Sequence, residues 1–232
     1  MQNYLIIGAS SGIGFQIVKS LVDQGDRVIA VARNQRGLSN LDNVRFMSYN
    51  VLSEDGFELG EESLDGFVYC PGTINLKPFQ RIKPEDFRKD FEVNVIGGVR
   101  ILQSVLPFLK KADNPSAVFF STVAVQQGMG FHSSIAASKG AIEGLTRSLA
   151  AELAPQIRVN CLAPSVTDTP LAERLLSTID KKEVSGKRHP LHRVGTPEDL
   201  ANAALFLLSE KSSWITGQII GVDGGMSSLR TL

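Results

Sequence analysis

A glycine-rich turn near the start of the chain has the composition and spacing of an anion-binding site. It follows the apolar run 4–7 and opens a helical pattern. Glycines at this spacing permit a tight turn, a close approach of the backbone to a pyrophosphate, and close helix–strand packing. The free N–H groups and the positive end of the helix face the phosphates. We expect contacts to a dinucleotide from Gly8, Ser10, Ser11, Gly12, Ile13 and Gly14.

The residue that follows the second apolar run distinguishes between the two nicotinamide dinucleotides. A carboxylate there would bond the free ribose hydroxyl of NAD(H), whereas an arginine suits the additional phosphate of NADP(H). Arg33 stands at this point, and no acidic residue occurs between Asp26 and Asp42. The sequence therefore predicts NADP(H) as the cofactor. Asn50, with Val51 beside it, follows the third run and is expected at the adenine edge.

Short apolar runs alternate with longer helical patterns along the chain. Apolar strands interleaved with amphipathic helices are typical of βαβ units, whose parallel sheet is covered on both faces. We therefore predict an α/β fold in a single domain, residues 1–232. The predicted strands are 4–7, 27–32, 44–49, 66–69, 117–121, 157–162 and 218–222, and the main predicted helices are 13–24, 84–91, 93–111, 133–153 and 197–209.

The stretch 167–195 is the one long connection between a predicted strand and the last predicted helix. It begins after a strand end, which is where ligands bind in such sheets. We interpret it as a mobile lid over a small-molecule substrate. Its histidines, His189 and His192, are expected to be exposed, and Trp214, further along, is expected in the core or at a subunit contact.

The amino-acid composition limits which binding partners and which cellular compartment are expected. The 24 basic and 24 acidic residues balance, which argues against nucleic acid or an anionic membrane as the main partner. Cys70 and Cys161 form no CxxC pair, so neither a disulfide framework nor a metal site is indicated. The chain begins without a signal-peptide pattern, and its longest apolar stretches are too short to span a bilayer. We expect a soluble, cytoplasmic protein.

Five ordered motifs make the chain resemble the classical short-chain dehydrogenases/reductases over nearly its whole length. They are the glycine turn, the segment 91–95, Ser-Lys-Gly-Ala at 138–141, the segment 158–164 ending in Ala-Pro, and Gly-Val-Asp-Gly-Gly at 221–225. The resemblance implies a Rossmann-like, doubly wound, seven-stranded parallel sheet, commonly assembled as a homotetramer or homodimer. It also implies hydride transfer between the nicotinamide and a carbonyl or alcohol carbon.

The family's catalytic residues map onto this chain with one exception. The resemblance assigns the ribose-binding lysine to Lys139, the substrate-binding hydroxyl to Thr122 (with Ser121 beside it) and the water-ordering asparagine to Asn94. The family's general acid is a tyrosine four residues before the lysine. Here that residue is Ile135, which can neither donate nor accept a proton. Further cofactor contacts implied by the resemblance are Gly72, Pro164, Val166 and Thr169.

Three interpretations of this exception stay open. His132, seven residues before Lys139, could donate the proton, because histidine titrates near neutral pH and this spacing matches the Tyr–Lys pair of divergent enoyl reductases. Alternatively, the reaction could be enoyl- or dienoyl-thioester reduction, since segments 128–131 and 137–139 resemble 2,4-dienoyl-CoA reductases, although Ala124 replaces their tyrosine. Finally, the chain could be a catalytically silent NADP(H)-binding structural or sensing subunit, because a fold does not establish a function.

Overall fold

Seven parallel strands form the central sheet of the computed structural model, which describes residues 1–60 and 63–230. The strand order is β3-β2-β1-β4-β5-β6-β7, which confirms the predicted Rossmann-like α/β fold. The strands are β1 (Asn3–Ile7), β2 (Arg27–Ala32), β3 (Val44–Ser48), β4 (Gly66–Tyr69), β5 (Ser116–Phe120), β6 (Arg158–Pro164) and β7 (Ile219–Val222).

Successive side chains of each strand enter two hydrophobic cores, one on each face of the sheet. On one face, Leu5 and Ile7 pack in a cluster with α3 (Gly97–Leu109) and α4 (Ser133–Leu153). On the other face, Tyr4 and Ile6 pack in a cluster with α1 (Gly12–Asp23) and α6 (Pro197–Leu208). Because both faces are covered, the central strands β1, β2, β4 and β5 are largely continuous apolar runs rather than alternating ones.

The carboxyl ends of β1 and β4 mark the point at which the strand order reverses. Strand β1 pairs with β2 on one side and with β4 on the other, so the connections from these two strands leave in opposite directions. Such a switch point opens the crevice in which doubly wound sheets bind ligands. The glycine turn follows β1 and therefore lies at the mouth of this crevice.

Helix α2 (Pro84–Phe91), a π-helical turn (Glu92–Ile96) and α3 follow one another without a break. The predicted start of a helix at residue 93 thus falls inside the π turn, which a hydrophobic period does not reveal. By length and composition alone the run Pro84–Leu109 could cross a membrane. Several of its apolar residues, including Ile101 and Val105, are buried in the core beside the sheet, so we interpret it as a core helix.

The segment 167–195 leaves the sheet after β6 and returns to nearly the same point. Thr167 and Gly195 form a β-bridge, and the Asp168 N–H donates to the Gly195 carbonyl over 2.8 Å. Between these ends lie a 3-10 turn (Pro170–Ala172) and helix α5 (Ile179–Gly186). Both ends of the predicted lid are therefore anchored, and its mobility stays a prediction.

The structure corrects two expectations about single side chains, one wholly and one in part. His189 is only 2% exposed, because both of its ring nitrogens bond groups inside the protein, at Ser185 and Ser165. Trp214 is 99% exposed, so it does not belong to the core of this chain, and its place at a subunit contact stays a prediction. His192 is exposed, as expected.

Candidate active site

The turn between β1 and α1 is shaped by its glycines. The N–H groups of Gly8 and Ala9 both donate to the carbonyl of Val31 in β2, over 2.8 and 3.1 Å, which folds the chain back sharply. Gly8 has a φ of +79°, a conformation that glycine adopts without strain. A Cβ on Gly14 would lie 2.4 Å from the Gly8 carbonyl oxygen. The close packing of α1 on β1 therefore requires glycine at Gly14.

Helix α1 begins at Gly12 and directs its N-terminus into the crevice. Ser11 is the N-cap, but its side chain caps no N–H group of the described helix. A Cβ on Gly12 would lie 3.2 Å from Thr169, so the turn and the start of the lid segment face each other across a narrow gap. The structure thus brings together two of the predicted cofactor contacts, at a helix end that favours phosphate.

Arg33 and Asn50 follow the carboxyl ends of the neighbouring strands β2 and β3, and both are exposed. The Asn50 Oδ1 accepts a hydrogen bond from the Leu52 N–H over 3.1 Å, which leaves the amide Nδ2 available as a donor. The next carbonyl, that of Val51, accepts from Arg100 over 3.1 Å. The carboxyl edge of the sheet therefore offers two donors here, the guanidinium of Arg33 and the amide of Asn50.

Lys139 lies on α4 and is 7% exposed. Its Nζ donates to the carbonyl of Phe120, at the end of β5, over 2.8 Å. Burial lowers the pKa of Lys139 to about 8, because removing an ammonium from water disfavours its charged form. A Cβ on Gly72 would lie 3.5 Å from this Nζ and 3.5 Å from the Asn94 Oδ1. Gly72 therefore lies beside both the lysine and the asparagine, at ordinary contact distance.

Asn94 is fully buried in the π turn and joins three elements. Its Nδ2 donates to Ser138 Oγ over 2.9 Å and to Thr73 Oγ1 over 3.1 Å, and its Oδ1 accepts from the Thr73 N–H over 3.2 Å. Both the amide nitrogen and the amide oxygen of the Asn94 side chain are thus hydrogen-bonded. This network fixes the loop after β4 relative to α4, one residue from Lys139.

Asp90 belongs to the same network, although no pattern of residue types indicates it. The carboxylate is 2% exposed and accepts hydrogen bonds from Ser134 Oγ over 2.6 Å and from Thr73 Oγ1 over 2.8 Å. Its neighbours along α2 are mostly charged and exposed, so a pattern of residue types predicts a surface position. Ser134 directly precedes Ile135, which links Asp90 to the part of α4 that borders the cleft.

The structure distinguishes between the two adjacent hydroxyls that follow β5. Ser121 is 3% exposed and donates to Glu143 Oε1 over 2.8 Å, so its proton is engaged away from the cleft. Thr122 accepts at Oγ1 from the Ala124 N–H over 3.3 Å, which leaves its own O–H free to donate. Thr122 is therefore the better hydroxyl for a ligand in the cleft.

A cleft of about 380 Å³ runs from the glycine turn to the lid segment. Ile135 and Lys139, one helical turn apart on α4, border it together with Thr122. His132 also borders it, and its Nδ1 lies 2.6 Å from the Gly130 carbonyl. A carbonyl oxygen only accepts, so Nδ1 carries a hydrogen and Nε2 is the nitrogen free to exchange a proton. Other wall residues are Ile13, Gly72, Pro164, Ser165, Val166, Thr169 and His189.

Comparison with known proteins gives a consistent picture over the full length. The family model described as enoyl-(acyl carrier protein) reductase matches residues 8–227. The chain is 34% identical over 238 residues to the 3-oxoacyl-[acyl-carrier-protein] reductase FabG of Thermotoga maritima, covering 96% of both chains. It is also 34% identical over 233 residues to the L-xylulose reductase of Bos taurus, covering 95% of this chain and 94% of that one.

A solved structure supports the same assignment. The crystal structure of a short-chain dehydrogenase family protein from Francisella tularensis superposes with a TM-score of 0.89, at 27% identity, over 99% of this chain and 100% of that one. Sequence and fold thus agree on one family, whose matched relatives are named as oxidoreductases. The chain belongs to the classical short-chain dehydrogenase/reductase family.

Proposed function

We propose that the chain is an NADP(H)-dependent oxidoreductase that acts on a carbonyl, an alcohol or an enoyl thioester. The observation that carries the proposal is one cleft in which a glycine turn, a buried lysine and a free threonine hydroxyl meet. The names of the FabG relative and of the family model support carbonyl and enoyl substrates. These relatives favour an enzyme over the silent alternative.

Several residues of the predicted cofactor site support the binding of NADP(H). Glycine at Gly14 lets α1 pack closely on β1, and glycine at Gly12 keeps open the narrow gap to Thr169. The N-terminus of α1 therefore faces the crevice. Arg33, exposed at the end of β2, supports the choice of NADP(H) over NAD(H). A solved relative of similar fold, ElxO, has NADP bound (TM-score 0.87, 25% identity, 99% of this chain and 100% of that chain covered).

When bound, NADP(H) supplies or accepts a hydride at its nicotinamide. We propose that the contacts to that ring come from Gly72, Pro164, Val166 and Thr169. Lys139 holds the adjoining ribose, and Asn94 positions the lysine's surroundings and orders water. Thr122 donates its free O–H to the substrate oxygen, where negative charge develops during reduction.

The proton in our proposal comes from His132. Ile135 borders the cleft where the resemblance implies a tyrosine, and its side chain offers no proton. The Nε2 of His132 is the ring nitrogen not engaged with Gly130, and the ring borders the same cleft as Thr122. An enoyl thioester would need less from this residue, because its carbon can take a proton from water.

The oligomeric state and the cellular location of the chain are also part of the proposal. Relatives in this family commonly form homodimers or homotetramers, and we propose one of these states for this chain. We also propose a cytoplasmic location, a single domain and closure of the segment 167–195 over a small-molecule substrate. None of these proposals involves nucleic acid, a metal or a membrane.

The experiment that tests the proposal follows NADPH in two steps. Binding is measured first by titration, and NADPH oxidation is then followed against panels of ketones, 3-oxoacyl thioesters and enoyl thioesters. We expect oxidation with at least one panel and a fall in its rate in His132→Ala. Binding without oxidation of any substrate would favour the silent alternative. An unchanged oxidation rate in His132→Ala would reject His132 as the proton donor but would leave the rest of the proposal standing.

A further inference from the structure

Ser165 and His189 form a hydrogen-bonded pair that the proposed reductase does not use. His189 Nε2 lies 2.8 Å from Ser165 Oγ, and His189 Nδ1 lies 2.8 Å from the Ser185 carbonyl oxygen. Ser165 begins the loop after β6, and both side chains border the cleft. Among the described residues, Ser165 is the one hydroxyl that a histidine ring nitrogen contacts.

The direction of these bonds follows from the chemistry of the partners. The Ser185 carbonyl can only accept, so Nδ1 carries the hydrogen of the neutral imidazole and Nε2 presents a lone pair. The Ser165 O–H then donates to Nε2. The other neighbour of this hydroxyl is the Met226 thioether at 3.0 Å, and sulfur is a much weaker acceptor.

The imidazole is held in this orientation by its surroundings. It is 2% exposed, and a Cβ on Gly224 would lie 3.5 Å from the His189 Cβ, so the loop after β7 packs against the histidine. The Ser165 loop is fixed in turn, because the Gly195 N–H donates to the Val166 carbonyl over 3.0 Å. A hydroxyl, a base within hydrogen-bond reach and a third group that orients the base are the parts of an activated nucleophile.

The cleft beside this pair suits an acyl chain. Its wall near the lid is apolar, with Ile74, Leu76, Leu171 and Leu175. Arg188 also borders the cleft, and its positive charge favours negative charge developing on an acyl oxygen. We propose that Ser165 and His189 form a second catalytic site, which hydrolyses activated esters and thioesters whose acyl chain lies in this cleft.

The reaction is balanced without a cofactor. Ser165 Oγ bonds to the acyl carbonyl carbon while Nε2 of His189 takes the hydroxyl proton. The bond to the leaving thiolate or alkoxide breaks, and Nε2 returns the proton to that group. Water, deprotonated by Nε2, then attacks the acyl-serine and releases the carboxylic acid and free Ser165. Nothing is oxidised or reduced.

The test uses the whole chain without NADPH, so its failure leaves the reductase proposal untouched. An alkyl fluorophosphonate is the covalent probe, with the adduct located by peptide mass spectrometry. Hydrolysis is followed with 4-nitrophenyl butyrate and butyryl-CoA. The variants are Ser165→Ala, His189→Gln, which cannot take up a proton, and the control Ser228→Ala, an exposed serine of the adjoining loop. Thermal unfolding checks that each variant is folded.

We expect one adduct, on Ser165, and hydrolysis of both substrates by the wild-type chain. Ser165→Ala abolishes both signals. His189→Gln lowers the rate of hydrolysis of each substrate by at least about 100-fold, as expected for loss of a positioned base. Ser228→Ala changes neither hydrolysis rate. Absence of an adduct on Ser165, absence of hydrolysis, or hydrolysis that persists in Ser165→Ala would overturn the proposal. If His189→Gln does not fold, Ser165→Ala still decides the outcome.

Discussion

The Nζ of Lys139 lies 2.8 Å from the carbonyl oxygen of Phe120, so the side chain of α4 is tied to the end of β5. This bond holds the amine inside the protein, and burial lowers its pKa to about 8. The same lysine that is proposed to hold the cofactor ribose therefore destabilises the fold whenever it is charged. Its effect on stability must depend on pH.

Replacing Lys139 by methionine isolates this effect. Between about pH 8 and the pKa of an unfolded lysine, about 10.4, the unfolded chain binds the proton more tightly, so wild-type stability rises with pH. Relative to wild type, Lys139→Met should gain stability as the pH falls from about 10 to about 8, on the order of 3 kcal/mol in total. Below about pH 8 the difference should be constant.

Urea unfolding of both proteins across this range measures the difference. Other titrating groups are shared by the two chains and cancel, and the lost bond to Phe120 adds a constant offset. A difference that does not vary with pH would mean that Lys139 is not buried as described. NADPH affinity, measured on the same samples, should fall in Lys139→Met.

Ile135→Tyr should add the tyrosine acid that the family resemblance implies. It introduces a hydroxyl one helical turn before Lys139, whose charge stabilises a tyrosinate. NADPH-dependent reduction of a 3-oxoacyl thioester should rise. In the His132→Ala background, which lacks the proposed acid, the gain should be about 10²–10⁴-fold, the usual contribution of a general acid. Ile135→Phe is the matched control, because it adds the ring without the hydroxyl. An equal gain in both variants would assign the effect to packing.

Arg33→Glu should reverse the preference between the two cofactors. A guanidinium bonded to a phosphate contributes about 1.5–3 kcal/mol, so NADPH binding should weaken by about 10-fold or more. NADH binding should remain similar. Arg27→Glu, at the opposite end of the same strand, is the control and should affect neither cofactor. If Arg33→Glu weakens the binding of NADPH and NADH equally, Arg33 does not contact the additional phosphate of NADPH.

Asp90→Asn should destabilise the fold through the network beside the cleft. The amide that replaces one carboxylate oxygen would face the hydroxyl of Ser134 or Thr73, both of which now donate to Asp90. A buried group left with the wrong partner costs about 1–3 kcal/mol. Asp113→Asn, on the surface, should change stability by less than about 0.5 kcal/mol. Equal urea midpoints for the two variants would contradict this role.

The frame of the fold could be predicted from the sequence because its physical cause is local. A strand buried on both faces must be a continuous apolar run, and β2 and β4 have the predicted bounds. Helix α4 also begins and ends as predicted, at Ser133 and Leu153. The boundaries that differ lie where hydrogen bonding rather than apolar pattern decides, as at the π turn around Asn94.

The parts of the site that could not be predicted depend on contacts between distant segments. His189 lies in a polar stretch, and its burial results from bonds to Ser165 and from packing on the loop after β7. Asp90 is buried because Ser134, 44 residues away, donates to it. The choice between Ser121 and Thr122 depends on the partner Glu143. A single sequence contains no signal for such pairings.

Hydride transfer from NADPH deuterated at the nicotinamide C4 would show directly whether the chain is a reductase. The purified chain is incubated with the labelled cofactor and with each of a 3-oxoacyl and an enoyl thioester, and the products are analysed by mass spectrometry. We expect deuterium on the reduced carbon of at least one product. Tight NADPH binding with no labelled product from either substrate would contradict it.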